Sequence, residues 1–387
     1  MAFTCSANGA SYELQACDLG CGEDPIPHCK VLQPKYLEDV CGSAVQTDLD
    51  ITSTGSLDPN LDSTCTGGVV MQGGGANLCV IRNRSFTVDD GVTLTLTGSQ
   101  YTDGRGVAIV TDNDLIVHGF IDASGHNGIN GPGGGTFESG GIGSSSNTLA
   151  SGGGAGGSTA GGPGATSMNA GATGTNGGAN NGGAIVMNPA LLASFVGGAS
   201  THNINVNDGS QTYPFFGGGG GALVLVSCHG AVTVDGTINV GGGGGNGGLV
   251  FLPAIPASGG GAGGNIVIQA PTITITGSVF ANGGGGGQGF PNGTGEGAIG
   301  GDGSLSDAPV ENGGHNELQV GGDGGRGGYL DQPGTDGLKP SGMNGGPGGG
   351  GGGAGFLQTY TPTGIQPTIT PAHASPAFQE NGTVERK

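Results

Sequence analysis

Gly221-ALVLVSCHGAVTVDGTINVG-Gly242 reads as three short strands in succession, at 222–226, 231–234 and 237–240. The first is wholly apolar, and the other two place apolar residues at every second position, the period-two pattern of a strand. The unit recurs. Upstream it is Gly106-VAIVTDNDLIVHGFIDAS-Gly125, and downstream Gly264-NIVIQAPTITITGSVFAN-Gly283. In each copy the middle carries an apolar-x-Gly-x-apolar core: Val117 to Ile121, Val234 to Ile238, and Ile275 to Val279. Weaker copies are expected at 183–187 and 355–371. Residues 80–88 and 92–97 show the same alternation ahead of the first full unit.

Three strands in about twenty residues match one coil of a parallel β-helix, a unit that buries its apolar face only by stacking on neighbours. The expected fold is therefore all-β, a right-handed parallel β-solenoid, with the hand set by the chirality of parallel crossovers. Val224, Val232, Val234, Ile238, Ile266, Ile268, Ile273 and Ile275 are expected to form one inward apolar column.

Glycine-rich excursions fill the rest of each period, and 95 of the 387 residues are Gly. Glycine loses more backbone freedom on folding than any other residue, so such a chain needs regular pairing to be ordered. Residues 153–183 and 321–355 place their glycines unevenly over a count of three. The polyproline II helix has three residues per turn and no internal hydrogen bonds. One reading is thus a set of packed polyglycine or polyproline-II-like segments; the other is a flexible low-complexity loop. In the packed reading of 321–355, Asp323, Arg326, Tyr329, Gln332, Thr335, Leu338, Ser341, Asn344 and Pro347, then Gly350 and Gly353, point outward while glycine faces neighbouring backbone.

Hydrophobic residues make up 34% and aromatics 5% with no Trp, which suits a thin axial core rather than a thick globular one. The formal net charge is −20, from 29 acids against 9 Lys plus Arg, and this argues against a nucleic-acid partner. No run approaches the ~20 apolar residues of a spanning helix, so no membrane span is expected. The first residues carry neither a positive nor a hydrophobic leader region, and no signal peptide is read there.

Cys5, Cys17, Cys21, Cys29, Cys41, Cys65 and Cys79 crowd the first 79 residues, and Cys228 stands alone. Such density points to a disulfide framework and an oxidising compartment. Metal binding by Cys17, Cys21 and Cys29 lacks the paired CxxC knuckles of zinc sites. Seven is odd, so Cys5 is either unpaired or reaches Cys228. The expected organisation is a Cys-rich N-terminal cap at 1–79, the solenoid with its insertions at 80–360, and a C-terminal strap and tail at 361–387.

No catalytic constellation emerges. Asp122 and Asp235 could pair as glycosidase carboxylates, but they sit at corresponding turns, where Asx capping suffices. Cys228 and His229 are sequence neighbours and would face opposite ways on a strand. His28, His118, His126, His202, His315 and His373 show no ligand spacing. Residues 106–325 hold no Lys or Arg to handle a uronate. A structural calcium at Asp323 is the one cofactor left open, although the Asp does not recur at nine residues as calcium-loaded β-rolls require.

Several motifs together resemble those of uncharacterised glycine-rich surface proteins and lipoproteins of the myxobacterial type. They are Cys65-Thr66, Leu78-Cys79-Val80, Thr95-Leu96-Thr97-Gly98-Ser99, Ile121-Asp122-Ala123-Ser124-Gly125 and the closing Ser375-Pro376-Ala377-Phe378-Gln379. The resemblance covers nearly the whole chain and implies an extracellular or cell-surface location, although this chain lacks the signal and lipobox. Glycine-triplet mycobacterial surface proteins and polyglycine-helix antifreeze proteins are similar in backbone geometry only. The function expected is structural or adhesive and not enzymatic: a matrix or fibre subunit that self-associates or meets a surface polysaccharide. The alternative is a carbohydrate-binding module or degenerate β-helix glycan enzyme, with ice binding behind both.

Overall fold

A computed structural model describes residues 2–5, 12–15, 19–22, 28–37, 39–42, 44–73, 75–99, 104–126, 128–135, 158–165, 195–201, 204–207, 212–249, 256–290, 295–308, 313–315, 321–341, 345–378 and 381–386. Among these there is no helix. Three two-stranded antiparallel pairs stand apart from the main sheets. They are β1 (Ala2–Cys5) with β2 (Tyr12–Gln15), β3 (Cys21–Gly22) with β4 (His28–Cys29), and β15 (Ile204–Asn207) with β16 (Thr212–Phe215).

The remaining strands fall into three sheets. Sheet I contains β5 (Leu32–Gln33), β8 (Val69–Val70), β9 (Leu78–Asn83), β12 (Gly106–Thr111), β17 (Ala222–Ser227), β20 (Asn265–Gln269), β23 (Phe356–Pro362) and β26 (Asn381–Arg386). Sheet II contains β6 (Leu49–Ile51), β10 (Phe86–Val88), β13 (Leu115–Val117), β18 (Ala231–Val234), β21 (Thr272–Ile275) and β24 (Thr368–Ile369). Sheet III contains β7 (Gly55–Leu57), β11 (Thr93–Leu96), β14 (Phe120–Asp122), β19 (Thr237–Asn239), β22 (Ser278–Phe280) and β25 (His373–Ser375). The chain visits the sheets in the fixed order I, II, III and then returns to I. Neighbours pair in parallel with matched registers, such as Val232↔Ile273 and Ile238↔Val279. The expected repeat is therefore present, and 355–371 forms a further circuit through β23 and β24. The copy expected at 183–187 lies outside the described residues.

Leu223, Leu225, Val232, Val234, Ile238, Ile266, Ile268, Ile273, Ile275 and Val279 join one buried apolar cluster between the sheets. Seven of the eight expected column residues belong to it. Val224 does not: it lies with Val80, Val110, Val226 and Val267 in a second buried cluster on the opposite face of sheet I. Alternation along β17 sends Leu223 and Leu225 inward and Val224 outward. Both faces of sheet I are covered, so an all-apolar strand does not show which residues face the shared cluster, and the expected column took Val224 in place of Leu223 and Leu225. Ile275 is fully buried. Ile275→Ala is expected to cost roughly 2–5 kcal/mol, read as a lower denaturant midpoint.

Residues 31–48 help cover the outer face of sheet I and run lengthwise across it. Thr47 O accepts a hydrogen bond from Arg84 N at 2.7 Å, and Val45 N donates to the Asp112 carboxylate. Cys41 is disulfide-bonded to Cys228. Lys35 N donates to Gln269 Oε1 at 2.7 Å, Lys35 Nζ donates to Tyr360 Oη at 3.3 Å, and Leu32 pairs with Arg386. Falling residue number thus tracks successive circuits from the first to beyond the last. The expected boundaries at 79/80 and 360/361 both fall inside strands, β9 and β23.

Every long excursion leaves after a sheet III strand and returns at a sheet I strand: 123–221, 240–264 and 281–355. Apart from the β15–β16 pair, much of their described length consists of extended segments joined by backbone hydrogen bonds with a period of three. The central one, residues 282–290, shows the logic. Gly283, Gly286 and Gly289 donate to residues 328, 325 and 322; Gly284 and Gly287 donate to 261 and 258; Gly285 and Gln288 donate to 301 and 298. Each phase of the triplet addresses a different neighbour, the signature of a three-fold helix without internal bonds. Residues 241–248, 313–314 and 345–355 complete the ring by donating to its carbonyls.

The triplet register of 321–355 holds on its outer part. Arg326, Gln332, Thr335, Leu338 and Ser341 are exposed, Asp323 and Tyr329 are half-buried, and Gly325, Gly328, Gly334 and Gly337 are buried. Two corrections follow. Pro347, Gly350 and Gly353 are buried, because 345–355 is surrounded by other segments. On 334–341 two phases face solvent rather than one, since Asp336 and Lys339 are exposed as well. Asn344 and most of 153–183 lie outside the described residues.

Candidate functional surface

Sheets II and III carry side-chain columns on their outer faces. In sheet II, Asp50, Thr87, Ile116, Thr233, Thr274 and Thr368 stand in register, each half-buried or exposed. In sheet III, Thr93, Phe120, Thr237, Ser278 and His373 form a second column. Parallel pairing fixes the rise between neighbours at roughly 4.8 Å, so hydroxyls recur at that interval along the stack. Gly119, Gly236 and Gly277 stack at the corner between the two sheets. A Cβ on Gly236 would collide with the Gly119 carbonyl, and one on Gly277 with that of Gly236, so this corner admits no side chain.

The two candidate carboxylates do not converge. Asp122 Oδ1 accepts from Ser124 N at 3.1 Å, Ser124 Oγ at 2.6 Å and Asn239 Nδ2 at 3.2 Å. That is an Asx turn at the end of β14, reinforced by the next circuit. Asp122, Asn239 and Phe280 share one register position, so the acid is not repeated. Asp235 instead lies 2.8 Å from His118 Nδ1.

Pairing of His with Asp recurs. His126 Nδ1 lies 2.8 Å from Asp302, His315 Nδ1 2.8 Å from Asp323, and His373 Nδ1 3.4 Å from Asp307. The hydrogen bond to Asp302 raises the His126 pKa above its ordinary value, against partial burial, with Asp302 and Asp122 adding charge attraction. Sequence spacing could not show these pairs, because three of them join residues 66 to 176 apart. Among the cations, Arg82, Arg84 and Arg105 pair with Asp112, Asp48 and Asp62. Hydrogen bonds from Arg84 and Ser85 lower the Asp48 pKa to about 2.

Cys228 is no nucleophile in this structure. It bonds to Cys41 across 187 residues, which overturns the alternative in which Cys5 reaches Cys228. Cys65 bonds to Cys79. Cys17 lies outside the described residues; Cys21 and Cys29 are described only as backbone partners across β3 and β4, and Cys5 only as part of β1. Mass mapping of the non-reduced protein should recover the peptides Cys41–Cys228 and Cys65–Cys79.

Asp323, the residue considered for calcium, meets His315 and accepts from Gln288 Nε2 at 3.3 Å. Among the described residues no group of three or more His, Cys, Asp or Glu is placed to hold a metal ion, and no helix is long and apolar enough to cross a membrane. No family model, curated protein or solved structure matches the chain.

Proposed function

We propose that this chain is an extracellular or cell-surface structural protein of adhesive type, built as a right-handed parallel β-solenoid with a polyproline-II-like bundle on one corner. The observation that carries the reading is the bundle itself. Residues 282–290 are bonded by backbone to a ring of other segments, and that construction spends glycine on rigidity rather than on a pocket. The two disulfides among the described residues suit an oxidising compartment. Sheet I ends in antiparallel strands on both sides, β8 and β5, which blunt the edges through which solenoids stack. A discrete adhesive unit therefore suits the chain better than a fibre subunit.

The hydroxyl columns of sheets II and III, with Phe120 among them, favour a second reading as a carbohydrate-binding surface. Electron microscopy and a polysaccharide-binding screen test both readings. Single particles that bind a surface glycan, with loss of binding in Thr233→Glu/Thr274→Glu, support an adhesin working through sheet II. Regular filaments would restore the fibre subunit. Turnover of a glycan, abolished by Asp122→Asn or Asp235→Asn, would replace both with an enzyme.

A further inference from the structure

Residues 295–308 form an outer segment held on one side of the bundle. Gly297, Gly300 and Gly303 donate at 2.8 Å each to the carbonyls of Gly248, Gly245 and Gly242. The segment also covers Asn282, a fully buried side chain whose Nδ2 donates to Ser304 O at 2.8 Å and Ser306 O at 2.9 Å. Its ionic attachments come from two residues. Asp302 Oδ2 meets His126, while its Oδ1 accepts from Gly244 N at 2.8 Å. Asp307 meets His373 on β25. His126 stands at the start of the excursion that follows β14 and His373 on β25 in the last circuit, so the segment is pinned at two levels.

We propose that residues 295–308 are a proton-operated clasp, closed while the His126–Asp302 bond is charge-assisted and loosened when His126 is neutral. Imidazole is the side chain whose charge changes near neutral pH. A charge-assisted bond to carboxylate is roughly twice as strong as the neutral bond that replaces it. Among the described residues, His126 faces Asp302 from the clasp and Asp122 at the end of β14; His373 faces Asp307. For His126 the folded-state pKa is raised. Its contribution is therefore complete below the ordinary His value and is lost as pH rises through the folded value. Opening would free the carbonyls of Gly242, Gly245 and Gly248, the N–H groups of Gly285 and Gln288 and the amide of Asn282, and so expose a polar strip on the corner between sheets III and I. This inference does not depend on the adhesive reading.

Hydrogen exchange of the full chain, corrected for intrinsic rates, tests the clasp at about pH 5.5 and about pH 8. Amides of 297–303 should lose about three- to tenfold protection at the higher pH, while β20 and β21 stay unchanged. In His126→Gln/His373→Gln the clasp should exchange fast at both pH values. Asp302→Asn/Asp307→Asn should do the same and serves if the first variant folds poorly. Equal wild-type protection at the two pH values, or a pH response that survives in either double variant, would overturn the proposal.

Discussion

Gly286→Ala is expected to collapse the excursion bundle while leaving the strand circuits largely intact. Gly286 is buried in the central segment; its N–H donates to Gly325 O and its carbonyl accepts from Gly314 N, both at 2.8 Å. A Cβ there would lie inside the contact limit of the Gly349 carbonyl, which is backbone and cannot rotate away. Gly349 in turn donates to Gly287 O, so yielding at one point breaks bonds along the next segment. The cost should reach about 3 kcal/mol or more, at the upper end for overpacking. Leu338→Ala is the control. Leu338 is 55% exposed on an outward phase, and its loss should change stability by less than about 0.5 kcal/mol. Thermal unfolding of the two variants separates these outcomes, and similar midpoints would discredit the close-packed bundle.

Arg82→Ala should be comparably damaging for a different reason. Arg82 and Asp112 form an ion pair with side chains only 6% and 9% exposed, joining the first two circuits. Asp112 also accepts from Val45 N, which fastens residues 31–48 to the stack. Removing the guanidinium leaves a buried carboxylate without its counter-charge, at a cost of about 3–5 kcal/mol. Arg82→Met/Asp112→Leu should recover most of that loss, because two apolar side chains tolerate the site. It should still fall short of wild type, since Val45 N would lose its acceptor. A double variant no better than Arg82→Ala would show that the pair matters through something other than stranded charge.

The repeat was legible because its information is local. Each three-strand unit carries its own alternation, and Gly119, Gly236 and Gly277 mark the same corner in each. The triplet register was legible at 321–329 for the same reason, a residue's phase predicting its exposure when one side of the segment faces water, and only in part on 334–341, where two phases face solvent. It failed at Pro347, Gly350 and Gly353 because burial there depends on how many segments surround 345–355, which no period encodes. Val224 was misplaced because apolar alternation cannot reveal a sheet covered on both faces. The Cys41–Cys228 bond and three of the four His–Asp pairs among the described residues join residues 66 or more apart, brought together by the stacking of circuits and the packing around them rather than by any local pattern.

The lengthwise run of residues 31–48 changes how such a stack should come apart. An array whose units touch only their neighbours unravels piecemeal from its ends, with each unit lost at little cost to the rest. Here the outermost circuits cannot peel away independently. The same stretch holds Arg84 in the first, Cys228 in a middle one and Tyr360 in the last. Freeing either end means detaching a tether whose remaining anchors still grip the interior circuits. Melting should therefore be a single sharp event, and a one-dimensional pile of repeats should behave as one cooperative body.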